Sequence, residues 1–161
     1  MKKILAISVL MFAFVAATFG QVSATATATA TIVTPIAIVN ASNMNFGNVA
    51  VSAVAGTVIL APAGTRSATG GVTLPVVAGT VTAATFTVTG TSGATYSITL
   101  PAGTNTITDG TNNMTVGTWT STPTPTGTLT GGTETLRVGA TLNVGASQPA
   151  GLYVSGTPFS V

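Results

Sequence analysis

Beyond residue 20, apolar and polar positions alternate in short runs that end at Gly, Pro or Asn. A period of two residues is typical of strands with one buried face, and little of the remaining chain has a helical period. The runs 85–89 and 96–100 flank the turn dipeptide Ser92-Gly93 and are expected to pair as a hairpin. The pattern therefore predicts an all-β, antiparallel domain.

In two stretches every second residue is apolar, so a strand would place these side chains on one face. That face is expected to be directed toward the core. The longer stretch covers residues 136–144, and a shorter one covers residues 72–76. In order, the apolar positions are Val72, Leu74, Val76, Leu136, Val138, Ala140, Leu142 and Val144.

The parity of the apolar positions slips by one residue around Gly117, which predicts a β-bulge there. Trp119 follows this slip. A large aromatic residue in an all-β domain most often packs in the core, and the other interpretation of Trp119 is a surface aromatic that contacts a ligand. Proline lacks the N–H group of a strand ladder, so the proline-containing segment 120–132 is expected to form a loop or a sheet edge.

The first 20 residues have the order of a secretory signal peptide: Lys2 and Lys3, an apolar run over residues 4–17, and then small residues. The run is shorter than the roughly 20 residues that span a bilayer as a helix. Cleavage is expected before Gln21, or alternatively at Ala24, and an uncleaved anchor is the competing interpretation. We therefore expect an exported protein, in the periplasm or at the cell surface, with no membrane span after cleavage.

An extension of small residues, 21–35, precedes the predicted domain, which covers residues 36–161. Within the extension, Ala and Thr alternate over residues 24–33, so that a strand would place its apolar side chains on one face. Such a strand could add to the sheet of another subunit, whereas the alternative is a flexible linker. The candidate donor residues are Ala24, Ala26, Ala28, Ala30 and Ile32.

The charge of the chain argues against nucleic-acid binding. Without the signal segment, four charged residues remain, and they sum to zero: Arg66, Asp109, Glu134 and Arg137. Nucleic-acid binding needs several clustered Lys or Arg residues, so a nucleic-acid partner is not expected. Only 4% of the whole chain is charged, and a surface with so little net charge favours self-association.

The residues for common catalytic chemistry are scarce, because the chain contains no His and no Cys. The two carboxylates could form a glycosidase pair. However, Asp109 precedes Gly110 in a typical turn dipeptide, and Glu134 fits a surface charge. Two carboxylates do not make a calcium site, and a zinc site needs His or Cys. We therefore expect no enzyme, no catalytic residue, no metal and no cofactor.

Four segments together resemble a bacterial family known as a domain of unknown function, which is itself similar to spore coat protein U and to chaperone–usher pilins. They lie at residues 32–38, 44–49, 131–144 and 148–153, and the resemblance covers essentially the whole chain after the signal. It implies an immunoglobulin-like β-sandwich, with a periplasmic chaperone and an outer-membrane usher as possible partners. Relative to that family, the strand near residues 159–161 is short, so either the chain is truncated there or an open groove is left for another segment.

These observations lead to one hypothesis and one alternative. The hypothesis is a structural subunit of a fimbria-like surface assembly, polymerising by β-strand addition with residues 24–33 as the donor. The alternative is a monomeric adhesin or carbohydrate-binding module, whose candidate ligand-contact residues are the aromatics Trp119, Tyr96 and Tyr153.

Overall fold

A computed structural model describes residues 21–161, and the predicted signal peptide, residues 1–20, lies outside the described residues. The chain divides into two compact units, Met1–Ile32 and Val33–Val161. In the described part of the first unit, residues 21–32 form no strand, and the side chains of Val22 and Ile32 are almost fully exposed. All the strands found within residues 21–161 lie in the second unit.

The second unit is all-β, as the alternation predicts, and its strands pair in antiparallel fashion. Within residues 21–161 there is no helix, and hence none that is long and apolar enough to cross a membrane. The strands are β1 Ala37–Ser42, β2 Asn45–Phe46, β3 Ala50–Leu60, β4 Arg66–Thr73, β5 Val81–Thr82, β6 Ala84–Thr89, β7 Thr95–Ser97, β8 Asn105–Thr108, β9 Asn113–Thr122, β10 Thr126–Thr128, β11 Thr133–Val144 and β12 Val154–Ser155.

Strand β11 organises the largest sheet. Along one edge it pairs first with β6, over residues 133–138, and then with β3, over residues 140–144. Its other edge pairs with β9, and the sheet continues through β8 to β12. Strand β1 closes the far side of β6, and β4 pairs with β3. The resulting eight-stranded sheet curls into a half-barrel, and β2–β5 and β7–β10 form two small sheets.

The apolar face predicted for residues 136–144 is confirmed, because all five of its alternate side chains are buried. They belong to two adjoining core clusters, one around β3, β4 and β9 and the other around β6. The buried members of these clusters are Val58, Val72, Ala84, Val88, Val116, Leu129, Leu136, Val138, Ala140, Leu142 and Val144.

The outward face of the same sheet is rich in threonine. Thr87 on β6 lies opposite Thr135 on β11, and the hydroxyl oxygens of Thr57 and Thr69 are 2.7 Å apart between β3 and β4. These residues alternate with the buried ones because side chains in a strand point to opposite faces. The solvent side of the sheet is therefore covered largely by hydroxyl and methyl groups.

The hairpin predicted between residues 85–89 and 96–100 is wrong. Strand β6 already pairs with β1 on one edge and with β11 on the other, so no edge is free for β7. After the turn at Ser92 the chain instead crosses to a separate sheet, where β7 pairs with β10. Proximity in sequence favoured the hairpin, but the longer β11 takes the place that β7 would need.

The prediction that the shorter apolar stretch, residues 72–76, faces the core is confirmed only in part. Val72 is buried and Leu74 is half-buried against the core, but Val76 is fully exposed. Strand β4 ends at Thr73, and Pro75 follows in a loop. The alternation therefore predicts burial for one residue beyond the strand, Leu74, and fails at Val76.

The bulge predicted near Gly117 is confirmed. Gly139 on β11 pairs with Thr120, and Thr141 pairs with Gly117, so β9 contains one extra residue between these two pairs. Thr118 has a positive φ of 47°, which a β-bulge accommodates. The extra residue places Trp119 on the same inner face as Val116, half-buried against both core clusters.

The proline-containing segment 120–132 is an edge, as predicted, only from residue 123 onward, because residues 120–122 continue β9 and pair with β11. The segment also supplies a core residue. Strand β10 within it pairs only with β7 among the described residues. Leu129, directly after β10, is completely buried in the cluster around β6. The segment is therefore anchored by one leucine.

Leu129→Ala is expected to reduce the free energy of unfolding by about 2–5 kcal/mol, because it leaves a cavity in a closely packed core. Val77→Ala is the control: that side chain is 75% exposed, so its loss should change stability by less than about 0.5 kcal/mol. Urea unfolding midpoints of both variants measure the difference, and equal shifts would contradict the anchoring role of Leu129.

Candidate functional site

An open groove of about 1140 Å³ runs along the inner face of the curled sheet. Its floor consists of apolar side chains from β6, β9 and β11, including Phe86, Trp119 and Leu142. One wall is the segment 43–51, and the other is the segment 148–155. The aliphatic part of this floor, including Leu142, is buried, whereas the rings of Phe86 and Trp119 are half-buried and contribute its accessible apolar surface.

Both walls contain short strands with an unpaired edge. Within residues 21–161, β2 pairs only with β5, and β12 pairs only with β8. Residues of both β2 and β12 line the groove. Unpaired strand edges carry free N–H and C=O groups, which can pair with an additional strand. The groove therefore combines an apolar floor with two short strands that each pair on one side only, and the carbonyl oxygen of Phe46 on β2 accepts from Arg66.

Three aromatic rings meet on the floor. The indole N–H of Trp119 donates to the carbonyl oxygen of Gly103, at 2.8 Å, which fixes the ring in place. The ring of Phe159 lies tilted against that of Trp119, with 4.5 Å between centroids, and edge-on to Phe86, with 6.3 Å between centroids. Trp119 is thus both a core residue and part of the groove surface, so both interpretations of this residue have a structural basis.

Tyr153 holds the wall formed by residues 148–155. Its hydroxyl donates to the carbonyl oxygen of Pro149, at 2.9 Å, and accepts from Nε2 of Gln148, at 3.0 Å. The side-chain amide of Gln148 also donates to the carbonyl oxygen of Asn113 on β9. Tyr153 therefore closes a local turn beside the groove.

Arg66 holds the opposite wall. Its Nη1 donates to the carbonyl oxygens of Phe46 and of Asn48, the latter at 2.7 Å, and its Nη2 donates to that of Ala78, at 3.3 Å. Gly47 lies beneath the guanidinium with φ of +68°, and a Cβ atom there would come within 2.3 Å of the Ala78 oxygen. In the sequence, Arg66 is recognisable only as a charged residue, and neither spacing nor composition indicates these partners.

The third candidate aromatic, Tyr96, lies outside this groove. It borders a smaller cleft of about 220 Å³ beside β1. Its hydroxyl donates to Oε2 of Glu134, at 2.9 Å. Burial, followed by this hydrogen bond and the negative charge of Glu134, raises the pKa of Tyr96 to about 12. Trp119 and Tyr153 therefore share one groove, and Tyr96 serves a separate contact between two sheets.

The two carboxylates have different surroundings. Glu134 is half-buried on the inner face of β11, so it is not the surface charge that the sequence suggested. Asp109 lies in the turn between β8 and β9, where Oδ1 accepts from the backbone amides of Asn112, at 2.6 Å, and Thr111, at 2.8 Å. The hydrogen bonds from Asn112 and then Thr111 lower the pKa of Asp109 to about 2. The turn predicted at this position is confirmed.

Among residues 21–161, no three His, Cys, Asp or Glu residues lie close enough together to hold a metal ion.

Residues 36–161 match a family described as a domain of unknown function, DUF4402, and the chain belongs to this family. Comparison with curated proteins and with solved structures gave no significant match.

Asp109→Asn is expected to destabilise the protein at neutral pH, because the carboxylate accepts the turn hydrogen bonds as an anion. A folded-state pKa below the unfolded value means that the ionised group stabilises the fold above about pH 4 and that this contribution is lost as pH falls toward 2. Thermal melts at pH 7, 4 and 2 should therefore show a difference between variant and parent that disappears in acid. A difference that is constant across the three pH values would contradict this account.

Proposed function

We propose that this protein is an exported structural subunit of a fimbria-like assembly on the bacterial surface, and that it polymerises by β-strand addition. In this proposal the groove of one subunit receives residues 24–33 of the next. The observation that carries the proposal is the groove itself, in which the unpaired edges of β2 and β12 border an apolar floor. An added strand would cover the half-buried rings of that floor and pair with those edges, which is the usual basis of β-augmentation.

The chemistry of residues 24–33 supports their role as the donor. The segment contains no proline, so each residue can offer an N–H group to a neighbouring strand. Its ten residues would extend over roughly 33 Å as a strand. Alternation places Ala24, Ala26, Ala28, Ala30 and Ile32 on one face. These residues would meet the groove, while the threonines would face away from it.

The charge distribution also favours assembly of identical subunits. The four charged residues after the signal segment sum to zero, so copies of the chain do not repel one another at long range. Threonine-rich outer surfaces would remain in contact with water after strand addition. Related subunits of the same chemistry could assemble in the same way.

An exposed groove with free strand edges is also an aggregation hazard during export. This supports a periplasmic chaperone that covers the groove, and an outer-membrane usher that receives the subunit. The family resemblance suggests the same partners, and it extends to the spore coat protein U group and the chaperone–usher pilins. We accordingly propose a pilin-like variant of the immunoglobulin-like sandwich, located in the periplasm before assembly and at the cell surface afterwards.

Ala28→Pro should abolish assembly, because proline in the middle of the donor removes a ladder N–H group and disrupts the strand. The control is Val22→Pro, which introduces the same residue just outside the proposed donor and should leave assembly unchanged. Size-exclusion chromatography with light scattering on the two full-length variants measures the oligomer distribution. If Ala28→Pro assembles as readily as the parent, strand addition through residues 24–33 is wrong.

A monomeric carbohydrate-binding module is the second candidate function, because Trp119 and Tyr153 both line the groove. Aromatic faces are common sugar-contact surfaces, and the groove would then hold a glycan instead of a strand.

Glycan-array binding by the monomeric fraction tests this candidate. Binding should be lost in Trp119→Ala and weakened at least about tenfold in Tyr153→Ala if sugars contact both rings, whereas Tyr96→Phe should bind like the parent because Tyr96 lies in another cleft. Absence of glycan binding by the monomer would exclude this candidate.

A further inference from the structure

Residues 156–161 contribute to the groove without belonging to a strand. After β12 ends at Ser155, the segment continues past Asn105, whose Nδ2 donates to the carbonyl oxygen of Thr157, at 2.8 Å. Phe159 and Val161 are half-buried, whereas Pro158 and Ser160 between and beside them are exposed. The segment therefore presses two alternate apolar side chains against the core while its backbone stays unpaired with the sheet.

Phe159 is the larger of these two side chains and lies in the groove. Its ring contacts the second core cluster and packs between Trp119 and Phe86 at the distances given above. Pairs of aromatic rings at such separations stabilise one another beyond the burial of their area. Part of the space under an incoming strand is thus already filled by a side chain of the acceptor.

The proposed donor segment, residues 24–33, has small side chains on the face that would meet the groove. Four of the five apolar-face residues in 24–33 are alanine, which contributes a single methyl group at each position. A groove without its own aromatic filling would gain little from such a strand, since the stabilisation by burial follows the apolar area removed from water. A groove filled by Phe159 needs only backbone and small side chains from the donor.

We propose that Phe159 sets the specificity of the groove for strands with small residues at every second position. This inference rests on the proposed function, because it assigns the kind of strand that the same groove accepts. Large side chains on the donor face would collide with the ring of Phe159, so strands of the alternating Ala/Thr type would be selected over bulkier ones. The partner is therefore a second copy of this chain, which supplies such a strand in residues 24–33.

A size-swap experiment tests the assignment. The acceptor is the full chain carrying Ala28→Pro, which disables its own donor, and the probes are synthetic peptides of residues 24–33. Besides the native peptide, three peptides carry leucine in place of Ala26, Ala28 or Ala30. Trp119 is the single tryptophan of the chain and packs against Phe159, so its fluorescence reports binding in the groove.

The native peptide should bind at least about tenfold more tightly than one or more of the leucine peptides. Phe159→Ala in the acceptor should reduce that preference to within about twofold or reverse it, by opening space for leucine. Phe159→Leu should give an intermediate preference, which keeps the test valid if Phe159→Ala is poorly folded. Val77→Ala, outside the groove, should leave the preference unchanged.

Two results would overturn the inference in distinguishable ways. If the leucine peptides bind the unsubstituted groove as tightly as the native peptide, or if the preference survives loss of the Phe159 ring, Phe159 does not set specificity, although strand addition still holds. If neither the native nor any leucine peptide binds any acceptor, strand addition itself is wrong, and the specificity assigned to Phe159 is wrong with it.

Discussion

The domain depends on the pairing of β11 with strands on both of its edges. Its twelve residues reach far enough to hold β6 and β3 end to end on one edge while β9 runs along the other. Its buried side chains contribute to both core clusters, so pairing and packing depend on the same residues. A shorter strand could join only one of these clusters to the rest of the sheet.

The groove lies along the inner face of this arrangement, where β11 and its neighbours β6 and β9 contribute the floor. The segments at its sides are short, and each is held by local contacts: Arg66 binds three carbonyl oxygens on one side, and Tyr153 closes a turn on the other. These contacts hold the two walls in place on either side of the floor.

The alternation of residues was a good guide to burial and a poor one to pairing. A period of two identifies which side chains share a face, so the buried side chains of β11 and the bulge before Trp119 could be predicted from local sequence. It carries no information on which strand lies next to which, so β6 and β7 were paired wrongly. The exposed Val76 shows a further limit: alternation continues past the end of a strand, and only the structure shows where the strand stops.

For the candidate site, residue types could be recognised in the sequence, but their neighbours in space could not. Trp119 and Tyr153 were recognised as candidates, and both line the groove, but Tyr96 lies elsewhere. Contacts between distant segments could not be inferred at all. The carbonyl partners of Arg66 and the stacking of Phe159 on Trp119 arise from folding, and no local pattern marks them. Leu129 likewise lies in a segment whose prolines suggested only a loop or edge.

The threonine-covered outer face has a consequence for the environment in which the protein works. Hydroxyl groups hydrate a surface without charge, and dissolved salt screens charges but has no comparable effect on neutral hydrogen-bonding groups. The chain also lacks histidine, and the two shifted pKa values lie near 2 and 12, at the extremes of the scale. Its surface hydration should therefore vary little between fresh water and brine, or between mildly acidic and mildly alkaline conditions.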